Sequence, residues 1–264
     1  MRIDLTGKTA LVTGSTAGIG HAIARGLAVA GALVVVNGRT EKSVQAAVKR
    51  LTEELPQSGI QGVPADVSTA AGCAALTKAV PEVDILVNNA GIFEPKGFFE
   101  IPDADWSKMI ETNVMSGVRL SRAYMQAMLK RNWGRVVFIS SESGIHIPKE
   151  MIHYGVTKTA QLAVSRGLAE TTAGTGVTVN AVLPGPTRSD GAEEFLRSMA
   201  AQTGSSADEV AANFIREHRP TSLLRRLATV EEVANMVIYV CSKESSATNG
   251  AALRVDGGVV RAIT

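Results

Sequence analysis

Residues 14–20 read Gly-Ser-Thr-Ala-Gly-Ile-Gly, between an apolar run that ends at Thr13 and a helix-like run that begins at Ile19. Glycine permits positive φ angles and close backbone approach, and the first turn of a helix carries unpaired N–H groups that bind anions. The spacing differs from the Gly-x-Gly-x-x-Gly fingerprint of many dinucleotide sites. Glycines also serve tight turns and helix–sheet packing. The position between a strand and a helix nevertheless favours a loop that holds a diphosphate.

Short β-branched runs alternate with longer helix-like stretches along the whole chain, and several strand candidates are continuously apolar. This alternation predicts a parallel sheet covered on both faces, with right-handed crossovers. A closed (β/α)₈ barrel would show the same periodicity. The glycine-rich first turn favours instead a single-domain α/β fold, a Rossmann-type doubly wound parallel sheet of about seven strands with helices on both faces. The predicted strands are 9–13, 33–37, 62–65, 84–88, 135–140, 177–183 and 251–255, and the predicted helices are 19–30, 41–55, 69–79, 103–131, 155–173 and 229–242.

The composition argues against several classes of protein. The chain of 264 residues has 27 Lys and Arg against 25 Asp and Glu, and 4% of its residues are aromatic. This near-zero charge and scarcity of rings argue against nucleic-acid binding. Residues 1–8 lack the apolar core of a signal peptide, and no apolar run approaches the roughly 20 residues that span a bilayer. Two cysteines and four scattered histidines suit neither a disulfide framework nor a metal site. We therefore expect a cytoplasmic protein with one domain, 1–264, and no metal, nucleic-acid or membrane partner.

The end of the second predicted strand bears on the choice of nucleotide. There the sequence is Asn37-Gly38-Arg39-Thr40, with no carboxylate. An acidic residue at this place binds the ribose 2′-hydroxyl of NAD, whereas an arginine accommodates the 2′-phosphate of NADP. Arg39 therefore favours NADP. NAD stays the alternative, because Arg39 could equally be a solvated loop residue.

Tyr154 and Lys158 lie four residues apart on a predicted helix and share a face. A nearby ammonium stabilises a phenolate, so the pair predicts a lowered tyrosine pKa and a general acid for carbonyl reduction or base for alcohol oxidation. Tyr239 and Lys243 repeat the spacing. Ser141 distinguishes the two pairs. It ends an apolar strand thirteen residues before Tyr154, whereas the residue thirteen positions before Tyr239 is an arginine. Tyr239 lies in an amphipathic run that is typical of packing.

From about residue 8 to residue 258 the chain resembles the short-chain dehydrogenase/reductase family. The resemblance implies that Ser141 orients the substrate oxygen and that Tyr154 transfers the proton. It implies that Lys158 binds the nicotinamide ribose and that Asn113 anchors a water leading protons to Lys158, with a hydrogen bond inside its own helix as the alternative for Asn113. The motifs that carry the resemblance are Thr13-Gly14-x-x-x-Gly18-x-Gly20, Asn88-Asn89-Ala90-Gly91, Asn113, Ser141, Tyr154-x-x-x-Lys158 and Pro184-Gly185.

The resemblance also implies cofactor contacts after each strand. Asp66 is expected near the adenine amino group, and residues 88–91 either approach the cofactor or brace the central strands. The Thr187 backbone and Ser189, where the family often has threonine, are expected to hold the nicotinamide carboxamide. The full set of expected cofactor-binding residues is Gly14, Ser15, Thr16, Gly18, Ile19, Gly20, Arg39, Asp66, Val67, Asn89, Ala90, Gly91, Tyr154, Lys158, Pro184, Gly185, Thr187 and Ser189.

Two segments are expected to shape the substrate pocket, 142–153 and 187–227. The second is too long for a simple connection and is interpreted as a lid, within which Ser206 and Glu209 form a capping-box pattern at the start of a helix. Its arginines could recruit an acidic substrate, although charge runs more often face water. Those arginines are Arg188, Arg197, Arg216, Arg219, Arg225 and Arg226.

Together these features predict an NADP-dependent oxidoreductase that interconverts a carbonyl and a secondary alcohol on a small molecule. A 3-oxoacyl-thioester reductase is one member of that class. A catalytically silent NAD(P)-binding sensor or structural subunit is the alternative. A pure binder, however, has no need for the catalytic set Asn113, Ser141, Tyr154 and Lys158. Helices 103–131 and 155–173 are rich in small and apolar residues, including Leu120 and Met125, and the family commonly pairs these helices between subunits. A homotetramer or homodimer is therefore expected.

Overall fold

A parallel sheet runs through the protein, whose computed structural model describes residues 2–263. Its order is β3-β2-β1-β4-β5-β6-β9, and β7 and β8 form a separate short parallel ladder. The strands are β1 (Thr9–Val12), β2 (Leu33–Gly38), β3 (Ile60–Pro64), β4 (Ile85–Asn88), β5 (Gly134–Ile139), β6 (Val177–Pro184), β7 (Thr187–Arg188), β8 (Ala228–Thr229) and β9 (Ala252–Val255).

Helices pack on both faces of this sheet, as predicted. Val34 and Val36 of β2 belong to the core shared with α1, α2 and α9, whereas Val35 belongs to the core shared with α3, α5 and α6. This alternation is why the strands are apolar at every position. The helices are α1 (Gly18–Val29), α2 (Glu41–Glu54), α3 (Ala70–Ala79), α4 (Asp103–Ile110), α5 (Ser116–Lys130), α6 (Ile152–Glu170), α7 (Asp190–Thr203), α8 (Ala207–His218) and α9 (Val230–Cys241).

The strand order reverses between β1 and β4, which are neighbours in the sheet. Helical connections leave these two strands in opposite directions, so a crevice opens beyond their carboxyl ends. The glycine-rich loop follows β1, Asn89 follows β4 and Ser141 follows β5. The topology therefore gathers these three segments at one edge of the sheet.

The structure differs from the sequence predictions in three places. The predicted helix 103–131 is interrupted by a π-helical turn, Glu111–Met115, between α4 and α5. Segment 187–227 contains α7, which was not predicted, as well as α8 with its predicted capping box. Leu120 and Met125, which were named among the apolar residues of helix 103–131, are buried in the core of the subunit and are not available to a subunit interface. Within residues 2–263 no helix combines the length and apolar character needed to cross a membrane.

Candidate active site

The glycine-rich loop forms a cradle at the start of α1. Gly18 adopts a φ of +57° there, and Ala17 offers no side chain to cap the helix. A Cβ on Gly20 would lie 2.4 Å from the Asn89 amide, so the loop tolerates only glycine at that point. The Gly18 N–H donates to the Asp190 carboxylate at 2.8 Å. The loop therefore fits an anionic group such as a diphosphate, and it already binds a carboxylate from α7.

Neighbouring side chains hold this loop in place. The Ser15 hydroxyl is buried and donates to the Val12 carbonyl at 2.7 Å, so it stabilises the turn between β1 and the glycine-rich loop. The Asn89 amide donates to the carbonyls of Thr13 at 2.8 Å and Gly14 at 3.0 Å. The Asn89 side chain therefore braces the glycine-rich loop, and bracing is one of the two roles considered for residues 88–91.

The expected adenosine end of the site lies after β2 and β3. Arg39 is exposed at the end of β2. A Cβ on Gly38 would lie 2.4 Å from the Thr16 methyl group, which places the glycine-rich loop against this strand end. Arg50 of α2 donates to the Thr16 carbonyl at 2.7 Å. Asp66 follows β3 and accepts from the Ser68 hydroxyl at 2.7 Å, which leaves its second carboxylate oxygen for a ligand.

Ser141, Tyr154 and Lys158 meet beyond the end of β5. The Lys158 ammonium donates to the Ile139 carbonyl at 2.9 Å and to Gln161 Oε1 at 3.2 Å. It lies over the Tyr154 ring, 5.5 Å from the ring centre. Burial lowers the pKa of Lys158 to about 7. Burial also raises the pKa of Tyr154 to about 12, and interaction with the Ser141 hydroxyl opposes this rise.

The lowering of the tyrosine pKa expected from Lys158 is absent, because burial is the largest influence on the pKa of Tyr154 and disfavours the phenolate. Burial likewise disfavours the charged form of Lys158. The phenol of Tyr154 is consequently protonated at neutral pH, so it can donate a proton.

Asn113 lies in the π-helical turn, and its side chain reaches away from its own helix. Its amide donates to the Ile92 carbonyl at 2.9 Å, and its carbonyl oxygen accepts from the Ile92 N–H at 2.8 Å. The Asn113 main-chain carbonyl accepts from Gln161 Nε2 at 2.6 Å. The alternative of a bond inside its helix is wrong. Gln161, which sequence reasoning missed, connects the Asn113 carbonyl directly to Lys158.

A buried ion pair adjoins this group and was also missed. Arg219, at the end of α8, donates to Glu142 Oε1 at 2.8 Å, and only 3% of the Glu142 side chain is exposed. Arg219 also approaches Glu150 at 3.5 Å. The two partners are 77 positions apart in the sequence, so no local pattern signals the pair.

Two other arginines of segment 187–227 are paired at the surface. Arg188 bonds to Glu193 and Asp208, and Arg226 bonds to Glu232. These ion pairs favour the interpretation of solvated helix faces over recruitment of an acidic substrate. Ser189 caps α7 by accepting from the Ala192 N–H at 3.4 Å, so its hydroxyl has a structural partner.

The remaining expected residues lie on the loops that border the crevice. Thr187 donates to the Gly185 carbonyl at 2.9 Å and lies in the short strand β7. Tyr239, the tyrosine of the second Tyr-x-x-x-Lys pair, packs against the core on α9, as predicted. Ile19 lies in the first turn of α1, Val67 follows β3, Ala90 and Gly91 follow β4, and Pro184 ends β6.

Comparison with known proteins places this geometry in a family. The sequence model described as "short chain dehydrogenase" matches residues 8–200. The chain is a short-chain dehydrogenase/reductase. It is thus an oxidoreductase of a family that uses NAD(P) to interconvert carbonyls and alcohols.

Individual relatives cover the whole chain. The uncharacterized oxidoreductase YvaG of Bacillus subtilis is 49% identical over 263 residues, with 100% of both chains covered. The 3-oxoacyl-[acyl-carrier-protein] reductase FabG of Escherichia coli is 34% identical, covering 97% of this chain and 99% of its own. L-sorbose reductase from Gluconobacter frateurii, solved with NADPH and L-sorbose, superposes with a TM-score of 0.92 at 30% identity, with 100% of both chains covered. All three relatives are named as oxidoreductases or reductases, and the two whose names give a substrate differ in that substrate.

Proposed function

We propose that this enzyme is an NADP-dependent reductase that converts a ketone to a secondary alcohol, with Tyr154 as the proton donor. The observation that carries the proposal is the cluster beyond β5, where the Tyr154 phenol lies beside the Ser141 hydroxyl and the Lys158 ammonium lies 5.5 Å from the centre of the Tyr154 ring. A protonated phenol in this position can donate its proton to a carbonyl oxygen that Ser141 also binds.

The reaction divides between the cofactor and the side chains. When bound, NADPH supplies the hydride for the carbonyl carbon. Tyr154 donates its proton to the carbonyl oxygen as the C–O double bond becomes a single bond, and Ser141 donates a hydrogen bond to the same oxygen. Lys158 is held by Ile139 and Gln161 beneath the Tyr154 ring. When protonated, it stabilises the phenolate that remains, until solvent returns the proton.

The residues present fit a phosphorylated dinucleotide. The N-terminus of α1 offers N–H groups to a diphosphate, and a carboxylate already occupies one of them. Arg39 is exposed at the end of β2, and no carboxylate follows that strand to bind a 2′-hydroxyl. An arginine fork matches a phosphate dianion. The bound NADPH of the G. frateurii reductase also supports a preference for NADP.

Partly buried apolar residues and two free thiols bear on the assembly and the location of the enzyme. Leu162, Val164 and Leu168 of α6 are only partly buried and could pack against a second copy, so we propose a homodimer or homotetramer. Light scattering that gives the mass of one chain would contradict it. Cys73 and Cys241 are buried free thiols, which suits the reducing cytoplasm.

Coenzyme absorbance tests the proposed chemistry. The enzyme would be mixed with NADPH or NADH and a panel of ketones, hydroxyketones and an acetoacetyl thioester, the last because one relative is a 3-oxoacyl reductase. We expect oxidation of NADPH in preference to NADH and near-complete loss of rate in Tyr154→Phe. Tight binding of NADPH with no turnover on any carbonyl would favour a sensor or structural subunit instead.

A further inference from the structure

One oxygen atom beside the proposed acid has no hydrogen-bond donor. Glu142 directly follows Ser141, and its Oε1 accepts from Arg219 Nε at 2.8 Å. Within the described residues, Glu142 Oε2 is buried and receives no hydrogen bond. A buried carboxylate oxygen without a donor is costly, because it has lost water and gained nothing in return. A donor from outside the chain would remove this cost.

The position of this oxygen points to the substrate. Glu142 begins the short turn Glu142–Gly144 that leads away from Ser141 at the end of β5. A Cβ on Gly144 would lie 2.9 Å from the Lys158 main chain, and a Cβ on Gly155 would lie 3.1 Å from the Ser143 carbonyl oxygen. The turn that begins at Glu142 therefore packs against the part of α6 that carries Tyr154 and Lys158.

The balance of charge selects the ligand. Arg219 is shared by two carboxylates, Glu142 at 2.8 Å and Glu150 at 3.5 Å. The two carboxylates and the one guanidinium give this cluster a net negative charge, which repels an anionic substrate. An ionised carboxylate oxygen only accepts hydrogen bonds, so its partner must be a donor. A neutral molecule that carries a hydroxyl group satisfies both conditions.

We propose that Glu142 is a substrate-binding residue whose Oε2 accepts a hydrogen bond from a hydroxyl group near the reacting carbonyl, so that the enzyme acts on neutral hydroxyketones such as ketoses and on the matching polyols. Arg219 is the positioning residue that fixes the carboxylate. This inference rests on the proposed reductase function and adds the substrate class to it.

The structure provides a conservative test in Glu142→Gln. Arg219 Nε–H needs an oxygen at the Oε1 position, so the amide NH₂ of the glutamine would occupy the Oε2 position. The variant thus replaces an acceptor by a donor with almost no change of shape. Glu150→Gln is the matched control, because it removes a charge from the same arginine at a site that is 38% exposed and leaves the free oxygen untouched.

The assay compares two ketones that differ by one group. In 1-hydroxybutan-2-one a hydroxyl replaces a methyl group of pentan-3-one, and kcat/KM with NADPH is measured for both. We expect the natural enzyme to prefer the hydroxyketone. We expect Glu142→Gln to reduce that preference about 10-fold, the loss of one hydrogen bond to a charged group, and Glu150→Gln to leave it within about 2-fold. A ketohexose extends the comparison to a larger hydroxyketone.

A binding measurement supplies a readout that does not depend on turnover. A polyol forms an unreactive complex with the enzyme and NADPH, and its dissociation constant follows from NADPH fluorescence. We expect Glu142→Gln to weaken polyol binding about 10-fold while NADPH binding stays unchanged.

The outcomes separate this inference from the proposed function. Reduction of pentan-3-one with no preference for the hydroxyketone, or an unchanged preference in Glu142→Gln, would overturn the inference and leave the reductase function standing. An equal loss of kcat/KM on both ketones in both glutamine variants would show that the ion pair has only a structural role. That result would also overturn the inference. No turnover of any carbonyl by the natural enzyme would overturn the proposed function itself. The first comparison needs no variant, so it remains decisive even where a variant fails to fold.

Discussion

Replacing Lys158 by methionine is expected to make the protein more stable at neutral pH, and the gain should disappear as the pH rises. Lys158 is 4% exposed, and burial lowers its pKa from 10.5 to about 7. The unfolded chain therefore binds one more proton than the folded chain between about pH 7 and pH 10.5. Where the unfolded state binds more protons, stability rises with pH. Below about pH 7 both states are protonated, so the whole cost of the buried charge is present there.

The size of the effect follows from the pKa difference. Between about pH 6.5 and pH 9.5 the cost of the buried lysine falls by about 3 kcal/mol, at about 1.4 kcal/mol per pH interval once the folded lysine is neutral. Methionine keeps the length of the side chain and loses the bonds to Ile139 and Gln161 at every pH. Lys158→Met should therefore have a higher free energy of unfolding than the natural protein at low pH. At high pH the loss of those bonds becomes the larger effect, and this advantage disappears.

Urea unfolding at several pH values without coenzyme measures this difference directly. The free energy of unfolding of the natural protein is subtracted from that of Lys158→Met at each pH, so other titrating groups cancel. Lys49→Met, whose side chain is 76% exposed, gives the background for removing a surface ammonium. A difference that stays constant across the range would refute the claim that Lys158 is desolvated in the folded protein.

Three further predictions follow from the geometry. Arg39→Ala should raise KM for NADPH about 10-fold or more with little change for NADH, by loss of one charged contact to the 2′-phosphate; equal effects on both coenzymes would refute that contact. Asp190→Asn should tighten NADPH binding about 2- to 5-fold in a fluorescence titration, because it removes the carboxylate that competes for the N-terminus of α1 at Gly18; weaker binding would show that Asp190 assists the cofactor. Gln161→Leu removes the link between the Asn113 carbonyl and the Lys158 ammonium, so kcat should fall about 10-fold and its pH profile should shift; a lower kcat with an unchanged pH profile would limit Gln161 to packing.

Local patterns were sufficient to predict the sheet and the loops that meet at one of its edges. The glycine spacing of residues 14–20 predicted a turn and an anion cradle, because only glycine tolerates the close contact at Gly20. The continuous apolar runs predicted strands because both of their faces are covered. The serine at the end of β5 distinguished Tyr154 from Tyr239, which packs in the core.

The features that were missed depend on contacts between distant parts of the chain. Glu142 and Arg219 are 77 positions apart and meet only through the tertiary fold. The π-helical turn at Glu111–Met115 leaves the helical periodicity nearly unchanged. The sequence predicted a lowered pKa for Tyr154, whereas burial raises it, and burial lowers the pKa of Lys158, for which no prediction was made. The four-residue spacing shows that the two residues are close, whereas the depth at which they are buried is set by the whole fold.

Transfer of deuterium from NADPH tests the central claim most directly. The enzyme would be given NADPH labelled at the transferable position of the nicotinamide, together with the best ketone of the panel, and the alcohol would be analysed by mass spectrometry. We expect one deuterium on the carbinol carbon, and a rate at least about 100-fold lower in Tyr154→Phe although that variant still binds NADPH. Equal rates of transfer in Tyr154→Phe and the natural enzyme would show that Tyr154 is not the proton donor.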